Sequence, residues 1–179
     1  MQGIIFNLLE EIVTRDFGAN TWDDLLDGAQ LDGAYTAFVN YPDEELLKLV
    51  SVASAALDKP EADIIKWFGQ HAIALLAERY TVFFTSCENT RAFLLTLNDI
   101  IHPEVRKLYP DADVPDFDYD ASHTDHLVLR YKSSRQICAL AEGLILGAGD
   151  YYDEQISIDH TACVHQGAET CEFRVSVSS

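Results

Sequence analysis

The spacing of apolar residues changes near Tyr109, and this change is the strongest constraint that the sequence places on the fold. Before it, apolar residues recur with the spacing of amphipathic helices. After it, apolar and polar residues alternate as in half-buried strands over 126–135, 154–164 and 171–178, with Gly167 suited to a turn. Helices followed by short antiparallel strands are typical of an α+β domain. We predict a helical N-terminal half followed by a small antiparallel sheet with one further helix.

Glycine and proline residues mark the expected helix boundaries. Helices are predicted over residues 3–16, about 21–28, 43–57, 60–78, 90–107 and 136–147. Thr21 and Asp24 form a predicted capping box, and Pro42 and Pro60 are expected in first turns. The segment 110–125 is rich in Asp and Pro, so we expect it to be an ordered loop or linker.

The length and charge of the chain exclude several classes of function. Its 179 residues, 48% of them hydrophobic, suffice for the core of one domain. A formal charge of −18 repels phosphate and anionic lipid, so nucleic acid and membrane are poor partners, whereas a protein with a basic face is a better one. The N-terminus has no basic signal-peptide region, and no apolar run approaches the roughly 18 residues of a membrane helix. We expect a cytoplasmic protein.

One predicted strand ends in three polar side chains. Alternation from His126 to Arg135 places on one face Leu127, Leu129, Tyr131, Ser133 and Arg135. A guanidinium beside two leucines needs an anion to offset its desolvation, and two hydroxyls add further donors. The array fits an anion with several oxygens, such as a pair of carboxylates. The alternative is that Arg135 extends into solvent and the hydroxyls cap the helix near Gln136.

A histidine upstream of this strand is a candidate metal ligand. His102 lies near the edge of a helical apolar stripe formed by Phe93, Leu94, Leu97, Ile100 and Ile101. Such a histidine is more often a hydrogen-bonded core residue than a ligand. An imidazole on an apolar surface is also what haem iron requires as an axial ligand.

The sequence resembles the haem nitric oxide/oxygen binding (H-NOX) domains, which are related to the sensor domain of soluble guanylate cyclase. The resemblance runs through MQGIIFNLLEEIV, WFGQHAI, LNDIIHPEV, the proline of DVPDF and the Tyr-x-Ser-x-Arg signature. It implies one haem-binding domain over 1–179, with a helical subdomain at about 1–60, a haem and sheet subdomain at about 61–179, and haem buried between the helices and the sheet. It also implies that His102 is the axial ligand of haem b and that the propionates are held by Tyr131, Ser133 and Arg135.

The resemblance further implies a haem pocket of aliphatic residues opposite His102. Its members would be Ile5 and Leu9 on the first helix and Leu140 and Leu144 on the last, although ordinary core is the default assignment of such residues. Leu140 aligns with the distal tyrosine of members that hold oxygen. Without that donor, we expect ferrous haem to bind NO and CO and to form no stable O₂ complex. Pro115 and Ile5 match residues that distort the porphyrin.

The expected function is regulatory and not enzymatic. By the behaviour of the family, NO weakens the bond between iron and His102, and release of that histidine signals to a separate effector, either a histidine kinase or a cyclic-dinucleotide signalling enzyme. One alternative is a haem enzyme of peroxidase or NO-detoxifying type, which needs an acid/base pair that the aliphatic pocket lacks. The other is a zinc-stabilised protein-interaction module without haem.

Four further residues predict a second metal site. They are Cys138, His160, Cys163 and Cys171. Three sulfurs and one nitrogen complete a tetrahedral zinc site, and a zinc-containing subgroup of bacterial H-NOX domains is similar in this region. His165 is a competing ligand, and the cysteines could instead be buried hydrophobes or a redox pair. Oxidation would release zinc, so thiol-based redox sensing is a further hypothesis. Cys87 receives no role.

Overall fold

The computed structural model of the protein describes residues 1–178, in which helices precede the sheet. The helices are α1 (Gly3–Phe17), α2 (Ala19–Ala29), α3 (Asp43–Leu57), α4 (Glu61–Arg79), α5 (Thr81–Thr85), α6 (Thr90–Leu95), α7 (His102–Leu108) and α8 (Cys138–Tyr151). A π-helical turn (Leu97–Ile101) separates α6 from α7, and a 3₁₀ turn covers Val164–Gln166. The strands are β1 (Asp116–Asp120), β2 (His126–Lys132), β3 (Gln155–Ala162) and β4 (Cys171–Ser178). The α+β prediction is confirmed.

The strands form one antiparallel sheet in the order β1-β2-β4-β3. Leu129 lies opposite Phe173, and Tyr131 lies opposite Cys171. All four side chains are buried, because alternate residues of a strand point to the same face and this face is covered. Gly167, in the connection between β3 and β4, has a φ of 92°, the left-handed conformation expected of a glycine in this turn.

Two apolar cores share α4. The N-terminal core is built mainly from Phe6, Leu8, Ile12, Trp22, Leu46, Leu49, Phe68, Ala72 and Leu75. The sheet core is built mainly from Ile73, Ala77, Phe93, Leu94, Leu127, Leu129, Tyr131, Ile145, Phe173 and Val175. One helix therefore supplies side chains to both cores and ties the N-terminal helices to the sheet. Among the described residues, no helix has both the length and the apolarity needed to cross a membrane.

Helices α4 and α8 cross at backbone contact. A Cβ added at Gly143 would lie 2.1 Å from the carbonyl oxygen of Lys66, and one added at Gly69 would lie 2.7 Å from that of Leu140. No side chain fits at either position without moving backbone. The glycines therefore set the position of α8, the helix that carries several of the predicted site residues.

The predicted continuous helix over 90–107 is wrong at its centre. It divides into α6, the π-helical turn and α7. In the π-helical turn the amide of Ile101 donates to the carbonyl of Thr96, five residues earlier, at 3.1 Å. The wider turn rotates the apolar stripe, so Ile100, which was expected on it, is 50% exposed.

Pro103 accounts for this interruption. It has no amide hydrogen to donate to Asp99, and in a regular helix its ring collides with the carbonyl four residues earlier. A π-helical turn accommodates the change of register. Such turns are rare and are enriched at functional sites. The periodicity predicted helix correctly on both sides of the proline and missed the change between them.

The first two strands after Tyr109 differ from the prediction. The segment 110–125, expected to be a loop, contains β1, which pairs with β2 along its whole length. The hydrogen bonds between β1 and β2 are made by backbone groups, which every residue supplies. The Asp-rich composition, which is unusual for a strand, therefore did not predict β1. In addition, β2 ends at Lys132, so the predicted alternation does not reach Arg135.

Helix α8 starts and ends later than predicted. Gln136, the expected start, has a φ of 55°, and the first helical residue is Cys138. Left-handed backbone cannot begin an α-helix, which explains the delay. The helix continues past Gly147 to Tyr151.

The predicted helix caps also need correction. Thr21 does not form a capping box, because its hydroxyl donates to the carbonyl of Phe17 at 2.9 Å and no side chain caps α2. Pro42 and Pro60 occupy the position just before the first helical residue, where their fixed φ suits the entry to a helix.

Candidate functional site

His102 is the first residue of α7 and follows the π-helical turn directly. Burial lowers the pKa of His102 to about 4, with a smaller effect of Arg106, while Asp116 and the Pro115 carbonyl act in the opposite direction. The imidazole is therefore neutral near pH 7, the form that ligates metals. Its Nδ1 is buried without a hydrogen-bond partner, and its ring lies 5.9 Å from that of Phe117.

The π-helical turn before His102 is anchored to the sheet by Asn98. The Asn98 amide group donates to the carbonyl of Phe117, and its carbonyl oxygen accepts from the Phe117 amide at 3.2 Å. Both backbone groups belong to β1. This pair of hydrogen bonds is the side-chain contact that connects the turn to the strand.

Tyr131, Ser133 and Arg135 come together through a turn and not through strand alternation. Tyr131 is buried on β2, and the chain turns after Lys132. The amide of Arg135 donates to the hydroxyl oxygen of Ser133 at 3.2 Å. Burial raises the pKa of Tyr131, and the nearby Ser133 side chain acts in the opposite direction. Ser133 therefore lies next to both Tyr131 and Arg135, through a turn and not through the strand alternation that the sequence predicted.

Arg135 faces carboxylates. Its Nε lies 2.8 Å from Asp43 Oδ2, and its Nη1 lies 3.4 Å from Asp113 Oδ2. The side chain is only 14% exposed, so it does not extend into solvent, and no side chain caps α8. The sequence required an anion beside this guanidinium, and within the chain two aspartates meet that requirement.

Asp43 connects Arg135 to the start of the chain, because it also pairs with the N-terminal ammonium of Met1. Burial alone would raise the pKa of Asp43, but hydrogen bonds from the ammonium and from Arg135 lower it below its usual value. The three groups form one ion network that joins the start of the chain to the segment between β2 and α8.

The five residues predicted for the haem pocket fall into two places. Leu9 is a member of the N-terminal core, and Ile5, Leu140 and Leu144 pack against that core with partial exposure. Leu144 also packs against the sheet core. Pro115 lies instead beside the His102 ring, just before β1. The structure thus groups the four aliphatic residues on one side and places Pro115 with the histidine.

The four predicted zinc ligands are brought together. One ligand atom from each of Cys138, His160, Cys163 and Cys171 lies within 4.8 Å of the others. The Sγ atoms of Cys138 and Cys163 are 3.9 Å apart. Burial raises the pKa of the Cys138 and Cys171 thiols. Buried thiols at this spacing suit a cation that would stabilise their charged form.

His160 is oriented toward this cluster by a residue that the sequence did not identify. Its Nδ1 lies 2.8 Å from Glu142 Oε1, while its Nε2 is buried and has no partner. A carboxylate behind a histidine fixes its ring and its tautomer at many zinc sites. Glu142 also pairs with Lys66.

The remaining candidates lie outside this cluster. The Nε2 of His165 is 2.8 Å from the carbonyl oxygen of Gln136, so His160 and not His165 is the histidine of the group. Cys87 is half-buried, with its Sγ 3.8 Å from the carbonyl oxygen of Phe83, and does not join the other cysteines.

The fold and these two sites define an α+β domain with a partly buried, neutral histidine beside the sheet and a separate Cys₃His group. The Haem-NO-binding family matches residues 2–160, and the chain belongs to this family. The predicted relation to bacterial H-NOX proteins is confirmed by solved structures.

An H-NOX protein from S. oneidensis in the Fe(II)NO state is 33% identical over 100% of both chains, with a TM-score of 0.93. An unliganded Fe(II) H-NOX protein from K. algicida is 26% identical over 100% of this chain and 97% of that one, with a TM-score of 0.87. An IWP-051-bound H-NOX from Shewanella woodyi in the Fe(II)CO state is 30% identical over 99% of this chain and 95% of that one, with a TM-score of 0.85.

Proposed function

We propose that this protein is a cytoplasmic gas sensor that binds haem b through His102 and takes up NO and CO, and not stably O₂, at the ferrous iron. The observation that carries the proposal is a neutral, partly buried imidazole placed after a π-helical turn in a chain of the Haem-NO-binding family. Relatives from S. oneidensis have been solved in the Fe(II)NO and Fe(II)CO states, which supports the choice of ligands.

The bound haem would supply a ferrous iron that accepts diatomic gases. His102 would offer its lone pair without first losing a proton. Tyr131, Ser133 and Arg135 would hold the propionates, and a propionate would compete with Asp43 and Asp113 for the guanidinium. The carboxylates now paired with Arg135 show that its surroundings tolerate anionic oxygens, so the residues fit the group.

Ile5, Leu9, Leu140 and Leu144 would form the side of the pocket away from His102. Their side chains carry no hydrogen-bond donor, so they would give no support to the partial negative charge of bound O₂. NO and CO need little such support. Pro115, beside the imidazole, and Ile5 would press on the porphyrin and bend it. No member of this set offers the acid/base pair of a peroxidase, which favours a regulatory protein over an enzyme.

The signal would pass through the π-helical turn. Release of His102 on NO binding would leave the π-helical turn tied to β1 by the Asn98 hydrogen bonds, while α7, which follows the turn, could shift. The helical subdomain of about 1–60 would then move relative to the rest of the domain. The effector would be a separate histidine kinase or cyclic-dinucleotide signalling enzyme, with a basic face that complements the charge of −18.

The Cys₃His group favours zinc as a second cofactor and oxidation of its thiols as a second input. Zinc would bind the three thiolates and the free Nε2 of His160. Peroxide would be reduced to water as a pair of cysteines forms a disulfide, and the ion would leave. Zinc release should therefore follow thiol loss in step. Retention of zinc after all thiols are oxidised would contradict this second role.

Visible absorption spectra test the proposal. Purified reduced protein should show a haem band that moves on NO to a five-coordinate position, with no oxygenated form in air. His102→Ala should lose the axial ligand, and added imidazole should restore it. His71→Ala is the matched control, because His71 is another partly buried helical histidine, bonded to the Trp67 carbonyl.

Three results would overturn the proposal. A protein that stays colourless with added haem would instead be the zinc-stabilised interaction module. A stable oxygen complex would show that the aliphatic residues are not the distal surface. A His102→Ala variant with an unchanged spectrum would assign the axial role to another residue.

A further inference from the structure

The connection between β1 and β2 brings two histidines and an aspartate together. A ring nitrogen of His123, a ring nitrogen of His126 and a carboxylate oxygen of Asp125 lie within 4.8 Å of one another. The two rings stack with centroids 4.2 Å apart, and His126 Nδ1 is 3.0 Å from Asp125 Oδ1. These residues belong to neither the proposed haem site nor the proposed zinc site.

Arg91 on α6 holds this connection in place. Its guanidinium donates to the backbone carbonyls of His126 at 2.8 Å, Ala121 at 2.9 Å and His123 at 2.9 Å. Three bonds from one side chain fix the backbone on which the three potential ligands stand. A ligand set on a fixed backbone loses less conformational entropy on binding than one on a mobile loop.

We propose that His123, Asp125 and His126 form a surface site for a divalent transition-metal ion. Two imidazole nitrogens and one carboxylate suit Zn²⁺, Ni²⁺ or Cu²⁺ better than Mg²⁺ or Ca²⁺, which prefer oxygen ligands. Three protein ligands leave coordination positions for water. The formal charge of −18 attracts cations to the whole surface and increases the local concentration of the ion.

The exposure of the side chains matches this role. His126 is only 15% exposed and is already oriented by Asp125. His123 is 49% exposed, with its Nε2 3.8 Å from Asp120 Oδ2. Binding requires the two rings to turn from a stacked to a converging arrangement, and the exposed His123 ring has the space to do so. Asp120 stands next to the site and can accept a hydrogen bond from a metal-bound water.

Titration with Ni²⁺ tests the site on the full chain loaded with haem and zinc, so that the Cys₃His group is already filled. Calorimetry should show one saturable Ni²⁺ site, and NMR should show selective broadening of the His123 and His126 ring signals. His123→Ala and His126→Ala should each weaken Ni²⁺ binding by about tenfold or more. Asp118→Asn is the matched control, because it removes a nearby exposed charge from β1 without removing a ligand.

Several outcomes would contradict the site. Asp118→Asn could weaken Ni²⁺ binding as much as the histidine variants do. Ni²⁺ binding would then reflect general attraction of cations to an acidic protein and not a specific site. Broadening could spread over other histidines, or binding could survive in the His123→Ala, His126→Ala double variant. The NMR measurement on the unmodified protein needs no variant to fold. The result is independent of the proposed gas sensing, because the sites share no residue.

Discussion

His102 and His160 are both partly buried histidines with one buried, unpartnered ring nitrogen, yet the protein holds them differently. His160 lies on a strand, is oriented by Glu142 and is surrounded by three thiols. His102 follows a π-helical turn, and among the described residues no side chain hydrogen-bonds to its ring. One histidine is fixed and the other has few restraints.

The difference corresponds to the roles that we propose. A structural metal needs ligands that do not move, and a hydrogen-bonded histidine in a sheet meets that need. A sensor needs a ligand that can be released at a low cost in free energy, and a histidine at an irregular helix junction meets that need. In these proposed roles the same side chain would serve opposite purposes, because a strand carries one histidine and an irregular helix junction carries the other.

The largest expected effect is the loss of stability when the proposed zinc site is disrupted. Cys171→Ser should lower the free energy of unfolding by about 3 kcal/mol, a fall in Tm of roughly 6–12 °C, because it removes a fully buried thiol of the proposed zinc site. Thermal unfolding with and without a chelator measures this. The chelator should lower the Tm of the unmodified protein to that of the variant, and it should leave the Tm of the variant unchanged.

Cys87→Ser is the control for that substitution, because Cys87 is a half-buried thiol outside the cluster. A similar fall in Tm for both variants would show that packing, and not metal binding, accounts for the effect.

The next effect concerns the orientation of His160. Glu142→Gln should lower zinc affinity by about 10–100-fold, because the carboxylate that orients the His160 ring is replaced by a neutral amide. Competition with a zinc-binding dye measures the affinity. Glu169→Gln, an exposed change near the turn between β3 and β4, should leave it unchanged. Equal zinc affinity in both variants would mean that Glu142 does not orient His160 for zinc and only forms an ion pair with Lys66.

A smaller effect should follow from loosening the region before His102. Asn98→Ala leaves the amide and carbonyl of Phe117 without their partner, which should cost about 1–2 kcal/mol and speed hydrogen exchange over 97–108. Exchange over 155–162 should not change. Asn89→Ala, which removes the cap of α6, is the control and should leave 97–108 unaffected. Unchanged exchange in Asn98→Ala would show that another contact restrains the turn.

The smallest effect is electrostatic and depends on pH. The pKa of Asp43 is lower in the folded protein than in the unfolded chain, so its stabilising contribution is present above about pH 4 and is lost as the pH falls through the folded value. Asp43→Asn should cost about 1 kcal/mol near pH 7, a modest figure because the carboxylate is 34% exposed.

Urea unfolding at pH 7 and pH 3 measures this dependence. The difference between the unmodified protein and Asp43→Asn should shrink at the lower pH, because the carboxylate starts to take up a proton as the pH falls toward the lowered pKa of Asp43. Asp111→Asn, an exposed change after α7, should have little effect at either pH. A difference that is as large at pH 3 as at pH 7 would assign the loss of stability to packing instead of charge.

The sites were predictable to different degrees. The Cys₃His group was predictable because its donor set is chemically specific, and Glu142 could have been found, since it lies four residues after Cys138 on the same helical face. Asp43 was not predictable, because 92 residues separate it from Arg135 and aspartate is common on any surface of this chain. The role of Arg91 was not predictable either, because its hydrogen-bond partners are backbone carbonyls, which have no sequence signature.

The sequence alone determined the class of fold and the residues with metal-binding chemistry, because periodicity and donor type are local properties. It also contained the reason for the π-helical turn, since Pro103 cannot take part in regular helical bonding. Tertiary structure alone decided that β1 is a strand, that Arg135 pairs with Asp43, and which histidine is fixed and which is not. These outcomes depend on pairings between distant segments, and such pairings form only when the whole chain packs.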